Sequence, residues 1–317
     1  MSRYSRQILY EHIRDGGQSK LAAARVTLIG CGALGTVLAN TLARAGVGFL
    51  RIVDRDFVEL NNLQRQVLFD ETDVAAGTPK AVAAANRLAT INSEITIEPV
   101  VADANSGNIE SLVDGAHLIL DGTDNLETRY LINDVAVKRG TPWIYGACVG
   151  AEGMVMPILP GETPCLRCIF DEPPPPGVSP TCDTAGVLAP IVQVVASLQS
   201  LEAMKILTGK HEALVRKLVQ ISLWEGEFTA FDMQSARDNA DCICCRRRQF
   251  DYLDGAETGR TLSLCGRDAV QVRPASDIQM ALEDVAARVA AVAKSPPRLN
   301  RYLLRFEVDR YEITLFR

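Results

Sequence analysis

The sequence predicts an α/β fold built on a doubly wound, mainly parallel sheet, followed by a small C-terminal α+β module. Three observations carry that expectation. Short apolar runs alternate with helical stretches through brief connections from Arg25 to about residue 160. The turn between the first run and the first helix reads Gly30-x-Gly32-x-x-Gly35. Past the last cysteine cluster, the rhythm shortens to strand, helix, strand, strand, which divides the chain into domains 1–245 and 246–317.

Taken in order, "RVTLI" is the first strand and the small residues after it form a helix through Ala45. "FLRIVD" is the second strand and ends at Asp54. "KAVAAANRLATIN" is an alanine- and leucine-rich helix from Lys80, with Pro79 at its first turn. "EITIEPVVA" alternates as a strand, and "AHLILDGTDN" is an apolar strand running into a polar loop. "RYLINDVAVKRG" is a helix stopped by Gly140, and "PWIYGACVG" and "GMVMPIL" are strands. The prolines of "DEPPPPGVSPTCD" suit neither a helix nor a central strand, so an extended, mobile loop is expected. "AGVLAPIVQVVASLQSLEAMKILTG" is a long helix, apolar round most of its circumference and therefore buried, in part against a second subunit. A hairpin, "LVQISLWEGEFTAFDM", precedes the cysteine cluster. The module then reads strand "AVQVRP", helix "IQMALEDVAARVAAVA", and strands "YLLRFEV" and "YEITLFR".

Composition excludes several classes. Of 317 residues, 47% are hydrophobic and 23% charged, as in ordinary globular chains. No apolar signal segment opens the chain and no uninterrupted apolar run reaches the ~20 residues of a membrane span, so a cytoplasmic protein without a membrane partner is expected. A net charge of −6, with Arg246–Arg248 the only dense basic run, argues against polymeric nucleic acid. A free nucleotide needs only a few local cations.

The glycine turn has the context of a Rossmann-like nucleotide site: a strand before it, a helix after it, and Asp54 24 residues beyond Gly30. Gly30 permits the turn, Gly32 lets a phosphate approach backbone, Gly35 allows close helix packing, and Asp54 suits ribose hydroxyls. NAD and ATP both present ribose and phosphate, so the turn alone does not separate hydride transfer from nucleotidyl transfer. The charges that follow lean towards a triphosphate. Arg65 stands in "NNLQRQ", Lys80 opens a helix, and "DGTDN" places Asp121 and Asp124 at a strand's end. Cations neutralise phosphate charge and a carboxylate beside them can hold Mg2+, whereas hydride transfer needs neither. Singly, each is a surface charge or a cap, with Asp124 a candidate cap for the next helix. The polar loop adds Asp56, Asn62 and Gln66 to the candidate nucleotide-binding residues.

Nine cysteines are an excess for a cytosolic chain and point to metal or a reactive thiol. Cys165-x-x-Cys168 and Cys242-x-x-Cys245 supply four thiolates for tetrahedral Zn2+, with Cys244 as a competitor in the second pair. One such pair alone would equally suit redox chemistry. Cys182 stands alone before the long helix, either a small loop residue or a thiol activated by the helix N-terminus. Cys31 and Cys148 read as packing residues, and Cys265 has no assigned role.

The segments "RYSRQI", "GCGALG", "VDRDFVELNNLQRQ", "GTPKA", "DGTDN", "PCLRC" and "TCDTAGVLAPIVQVVASLQSLEAMKILTG" resemble the ubiquitin-activating-enzyme-like superfamily, nearest its bacterial MoeB/ThiF sulfur-carrier-protein adenylyltransferases. The likeness covers roughly residues 3–245 in order. It implies a homodimer that binds ATP and Mg2+ and adenylates the C-terminal glycine of a small ubiquitin-like sulfur-carrier protein with a Gly-Gly end. A sulfur donor then converts the acyl-adenylate to a thiocarboxylate. The resemblance assigns phosphates to Gly30, Gly32 and Gly35, ribose to Asp54, and the reacting phosphates to Arg65 and Lys80. It gives Mg2+ to Asp124, an arginine-finger role across the dimer to Arg6, a structural zinc to the four paired cysteines, and covalent transfer in some members to Cys182. Adenylation of a peptide or tRNA-linked carboxylate is the alternative, with an NAD-dependent oxidoreductase behind it. The module has no assigned role, and its "LCGRD" is a poor match to a rhodanese loop.

Overall fold

Arg25–Ile29 form strand β1, buried from Val26 onward, and everything that builds the nucleotide-type turn is ordered around it. The computed structural model describes residues 3–174, 182–238, 241–255, 261–264, 269–272, 281–300 and 302–316. β1 pairs in parallel with β2 (Phe49–Val53) and with β4 (Leu118–Asp121). β3 (Thr96–Val100) and β5 (Trp143–Val149) extend the parallel array on either side. β6 (Glu152–Ile158), β7 (Lys217–Ser222) and β8 (Glu227–Asp232) complete an eight-stranded sheet of order β3-β2-β1-β4-β5-β6-β7-β8. The last three are antiparallel. Only two residues, Gly150 and Ala151, join β5 to β6, and so short a link returns the chain antiparallel.

Helices cover both faces. α1 (Ser5–Ile8) and α2 (Arg14–Ala23) precede β1, and α3 (Ala33–Ala45) follows the glycine turn. α4 (Glu71–Ala76) leads to α5 (Lys80–Ile91), and α6 (Ile109–Leu112) sits before β4. α7 (Leu126–Arg139) is capped by Asn125, whose Oδ1 accepts from the Glu127 amide (2.8 Å), and stops at Gly140 in the left-handed conformation (φ +71°). α8 (Leu166–Ile169) lies in the first cysteine pair, α9 (Cys182–Ala185) and α10 (Ala189–Thr208) follow, and α11 (Gln234–Arg237) precedes the second pair. α3, α5 and α10 share one core with Leu28, Leu38 and Ile221, while α7 shares the other with Ile119, Trp143 and Leu253.

α10 has the length and apolar composition of a membrane span, but Gln199, Ser200 and Glu202 on it are buried and it packs against β4, β5, β6 and α3. It is a core helix. The proline-rich stretch expected to be a loop lies in part, at 175–181, outside the described residues.

Two compact units divide the chain. The larger extends through Thr258, past the boundary expected after residue 245, because Phe250, Tyr252 and Leu253 are buried in the α7 core. Tyr252 stacks on Tyr130 with ring centroids 4.9 Å apart, and its amide donates to Asp134 Oδ2 (3.0 Å). The smaller unit holds the hairpin β9 (Thr261–Leu264) and β10 (Ala269–Val272), helix α12 (Leu282–Val289), and the three-stranded sheet β11 (Arg298–Leu299), β12 (Leu303–Val308) and β13 (Tyr311–Phe316). Leu282 of α12 packs on Leu304 and Phe306 of β12, which makes the unit α+β. The first residues of the expected helix, 278–280, lie outside the described residues.

A chain ended after residue 245 should lose on the order of 5 kcal/mol of stability, from three uncovered apolar side chains and the lost partners of Asp134. One ended after residue 258 retains those side chains and should show the higher urea midpoint of the two. Equal midpoints for both truncations would contradict the packing described here.

Candidate functional site

The carboxyl ends of β1 and β4 approach each other backbone to backbone. Gly30 has φ +89°, and a Cβ there would fall 2.6 Å from the Gly122 carbonyl oxygen. A Cβ on Gly35 would lie 2.1 Å from the Gly30 oxygen, and one on Gly122 would lie 2.4 Å from it. Gly122 is thus as obligatory as Gly30 and Gly35. Nothing in its own spacing marks it in the sequence, because the pairing that sets β4 beside β1 comes from the fold. Gly32 differs: the nearest atom to a Cβ there is Gln66 Nε2, at 3.9 Å. The space above Gly32 is open, and α3 begins there with no side-chain cap on its first amides. Such amides favour an anionic ligand. Gln66 is buried beside this opening, with Oε1 lacking a hydrogen-bond partner.

Asp54 borders the turn. Its Oδ2 accepts from the Cys31 amide (2.6 Å) and its Oδ1 from the Asp56 amide (2.7 Å). Burial pushes its carboxyl up to about 6, with Lys80 pulling the other way and Asp56 adding to the rise. Lys80 is buried, its Nζ 3.0 Å from Asp56 Oδ2 and its amide donating to the Asp56 carbonyl (2.8 Å). Asn62 is buried and serves its own turn: Oδ1 accepts from the Glu59 amide (3.1 Å) and Nδ2 donates to Asn61 Oδ1 (2.8 Å). Arg65, one residue before Gln66, donates to the Asn61 carbonyl (2.8 Å).

Past β4, Asp121 is fully buried and ion-paired to Arg129 (Nε to Oδ2, 3.0 Å). Burial pulls the Arg129 guanidinium down, and the Asp121 carboxylate beside it more than reverses that. Sequence reading passed over Arg129 because a lone arginine in a helix ordinarily faces water. Asp124 is exposed, and the helix cap it was a candidate for is Asn125.

One predicted residue lies elsewhere. Arg6 is exposed on α1, whose Gln7 donates to the Ala45 carbonyl (2.9 Å) at the far end of α3 from the glycine turn. The 13 residues of α3 separate those ends by about 20 Å. Cys182 begins α9, and its side chain lies outside the described residues. The chain just after α9 is tied to the end of β5, where the Gly150 amide donates to the Gly186 carbonyl (2.8 Å). Cys265 also lies outside the described residues.

The sulfurs of Cys165, Cys168, Cys242 and Cys245 lie within 4.8 Å of one another, with Sγ separations of 3.7, 3.6 and 3.4 Å for 165–168, 165–242 and 168–245. A tetrahedron with Zn–S bonds of about 2.3 Å has edges of about 3.8 Å. The donor set fits zinc and leaves no open position for chemistry. Cys244 stands apart: it is buried, and its Sγ accepts from Asn133 Nδ2 (3.2 Å). The competition within the second pair is thereby settled.

An uncapped helix N-terminus over an open glycine, a buried lysine and a four-thiolate cluster able to hold zinc define a nucleotide-binding α/β protein of the ATP-using class. The chain belongs to the ThiF family, whose description matches residues 4–245. It is 42% identical over 316 residues to the sulfur carrier protein ThiS adenylyltransferase of Bacillus subtilis, covering 99% of this chain and 92% of that one. The SAMP-activating enzyme of Haloferax volcanii is 39% identical over 254 residues, covering 80% and 92%. Escherichia coli MccB, solved with ATP, superposes with a TM-score of 0.66 at 25% identity over 77% of this chain and 74% of that one.

Metal analysis of the purified protein should return one zinc per chain. Cys165→Ser should lower that content, while Cys244→Ser should retain it, since its sulfur lies outside the cluster. Zinc loss in Cys244→Ser with the fold intact would contradict this assignment.

Proposed function

We propose that this protein adenylates the C-terminal glycine of a small ubiquitin-like sulfur-carrier protein ending in Gly-Gly. The observation that carries the reading is the anion cradle over Gly32, flanked by buried Lys80, in a ThiF-family chain. The carrier's terminal carboxylate attacks the α-phosphorus of ATP. A new oxygen–phosphorus bond forms, the bond to the bridging oxygen breaks, and pyrophosphate leaves with that electron pair. The carboxylate is already ionised at neutral pH, so no base is required. Alignment and charge neutralisation remain as the catalytic tasks.

Gly30, Gly32 and Gly35 with the α3 amides receive the phosphates, and Asp54 accepts from the ribose hydroxyls. Lys80, fixed by Asp56, and Arg65 stand by the phosphates, with Asn62 and Gln66 shaping the floor. Asp124, free of cap duty, holds Mg2+, which supplies further neutralisation of phosphate charge. Arg6, remote from its own cradle, enters the partner's site in a homodimer. The Cys182 thiolate attacks the acyl-adenylate carbonyl and takes up the carrier as a thioester, AMP leaving, and a separate donor of sulfide-level sulfur displaces that thiolate to give the thiocarboxylate. The zinc knot is structural and the setting cytoplasmic. MccB has been solved in complex with MccA, which keeps a peptide carboxylate as the second reading. The higher identity to the ThiS adenylyltransferase favours the carrier.

ATP should exchange labelled pyrophosphate only when a Gly-Gly-ended carrier is added, and Asp124→Ala should reduce that exchange about a hundredfold or more. Exchange with a short peptide but no carrier would support the second reading, and full activity of Asp124→Ala would sink the proposed metal role. A pH dependence accompanies it. The folded Asp54 carboxyl takes up its proton near pH 6, whereas in the unfolded chain it does so near 3.8. From this group alone, stability rises as pH falls from about 6 to about 4. ATP affinity should run the opposite way, because protonation removes the ionised acceptor. Titration calorimetry at pH 5.5 and 7.5 should show weaker ATP binding at the lower pH, a difference that Asp54→Asn abolishes.

A further inference from the structure

Asp124 is exposed and is not the cap of α7, so its position is set by the backbone on either side of it. That backbone is held by a buried polar junction. Asp121 Oδ1 accepts from both the Thr123 amide (2.9 Å) and the Thr123 hydroxyl (2.7 Å). Its Oδ2 accepts from Arg129 Nε (3.0 Å), and Arg129 Nη2 donates to the Thr123 carbonyl (2.8 Å) and the Gly146 carbonyl (3.0 Å). The amide, hydroxyl and carbonyl of the residue before Asp124 are therefore all fixed by one ion pair. From the other face of the sheet, Gln199 Nε2 donates to the Asp121 carbonyl (3.0 Å) and the Ile144 carbonyl (3.3 Å). A Cβ on Gly146 would come within 2.4 Å of the Gln199 amide, so the glycine in β5 is what admits it.

Stability is a poor reason for such a junction. A buried ion pair is often no more stabilising than apolar residues of the same volume, and Gln199 keeps Oε1 unpartnered at full burial. What the junction does achieve is direction. The planar guanidinium fork binds three acceptors at fixed angles, which a lysine could not reproduce. Four elements, β4, β5, α7 and α10, meet at the one loop that presents Asp124.

We infer that Arg129 and Gln199 are positioning residues that aim Asp124 at its cation through the 121–125 loop. The inference rests on the metal role proposed for Asp124. Neither residue touches the nucleotide; both act through the loop, as outer partners of a metal ligand do.

The test is carrier-dependent pyrophosphate exchange measured against Mg2+ concentration in the full-length protein, with thermal melting in parallel. Arg129→Lys and the volume-conserving Gln199→Met should raise the Mg2+ needed for half-maximal rate about tenfold or more, leaving KM for the carrier within about twofold. Thr123→Val, at a half-buried loop position, should shift Mg2+ dependence in the same direction without disturbing the core, so the question does not hang on a variant that fails to fold. Asp124→Asn serves as the reference. If it leaves Mg2+ dependence unchanged, the metal role of Asp124 fails and this inference falls with it. If Asp124→Asn shifts the dependence but Gln199→Met and Thr123→Val keep the wild-type value, the inference alone is overturned. A lowered melting temperature with unchanged Mg2+ dependence would likewise make the junction purely structural.

Discussion

The Gly122 amide donates to the Ile29 carbonyl at 2.8 Å, and no side chain fits between the turns that follow β1 and β4. This contact is the tightest constraint on the site. It lies where the strand order reverses, between two neighbouring parallel strands whose connections leave in opposite directions. Because Gly30, Gly35 and Gly122 press together, α3 starts immediately above the sheet and its first amides face the crevice. The loop that leaves Gly122 is forced close as well, with the Thr123 amide 2.9 Å from where a Cβ on Gly30 would stand. Widen the contact by one methyl group and both would move.

Charge around the opening follows from that geometry. Asp54 must sit close enough to bond the Cys31 amide of the turn, and so it is desolvated; its raised carboxyl is the cost of the close approach. Lys80 lies at the start of α5, where it would meet the unfavourable positive end of that helix if left alone. Asp56 offsets this by accepting from both its amide and its Nζ. The pair pins a buried lysine in place beside the glycine turn.

Much of this was legible in the sequence, and what escaped has a common physical cause. The turn of Gly30, Gly32 and Gly35 with Asp54 beside it was readable because such a turn imposes local spacing, and the clustering of the paired cysteines because each pair closes within four residues. The strand and helix alternation through β5 was equally plain, since short apolar runs and longer small-residue stretches are set apart by turn residues. Gly122, the Asp121–Arg129 pair, Gln199 and Gly146 were not readable. Each acts through partners from distant parts of the chain that only the fold brings together. The same holds for Phe250, Tyr252 and Leu253: the cysteine cluster looked like a boundary, yet the residues after it complete the α7 core.

α7 shows how the long-range part is built. Its inner side is not a plain apolar stripe but a row of polar pins. Arg129 fixes its first turns to β4 and β5. Asn133 accepts from the Leu166 amide (2.9 Å) inside the first cysteine pair and donates to Cys244 inside the second. Asp134 holds Tyr252 beyond them, and Arg248, in the left-handed conformation at φ +59°, donates to the Val137 and Lys138 carbonyls at the helix end. Pins of this kind specify rotation and register along the helix, where apolar contacts alone would tolerate slippage. The cysteine cluster therefore does more than bring two distant segments together. By fixing Leu166 and Cys244 relative to each other, it fixes the middle of α7, and a rigid helix held at its middle delivers its first turn to the nucleotide loop.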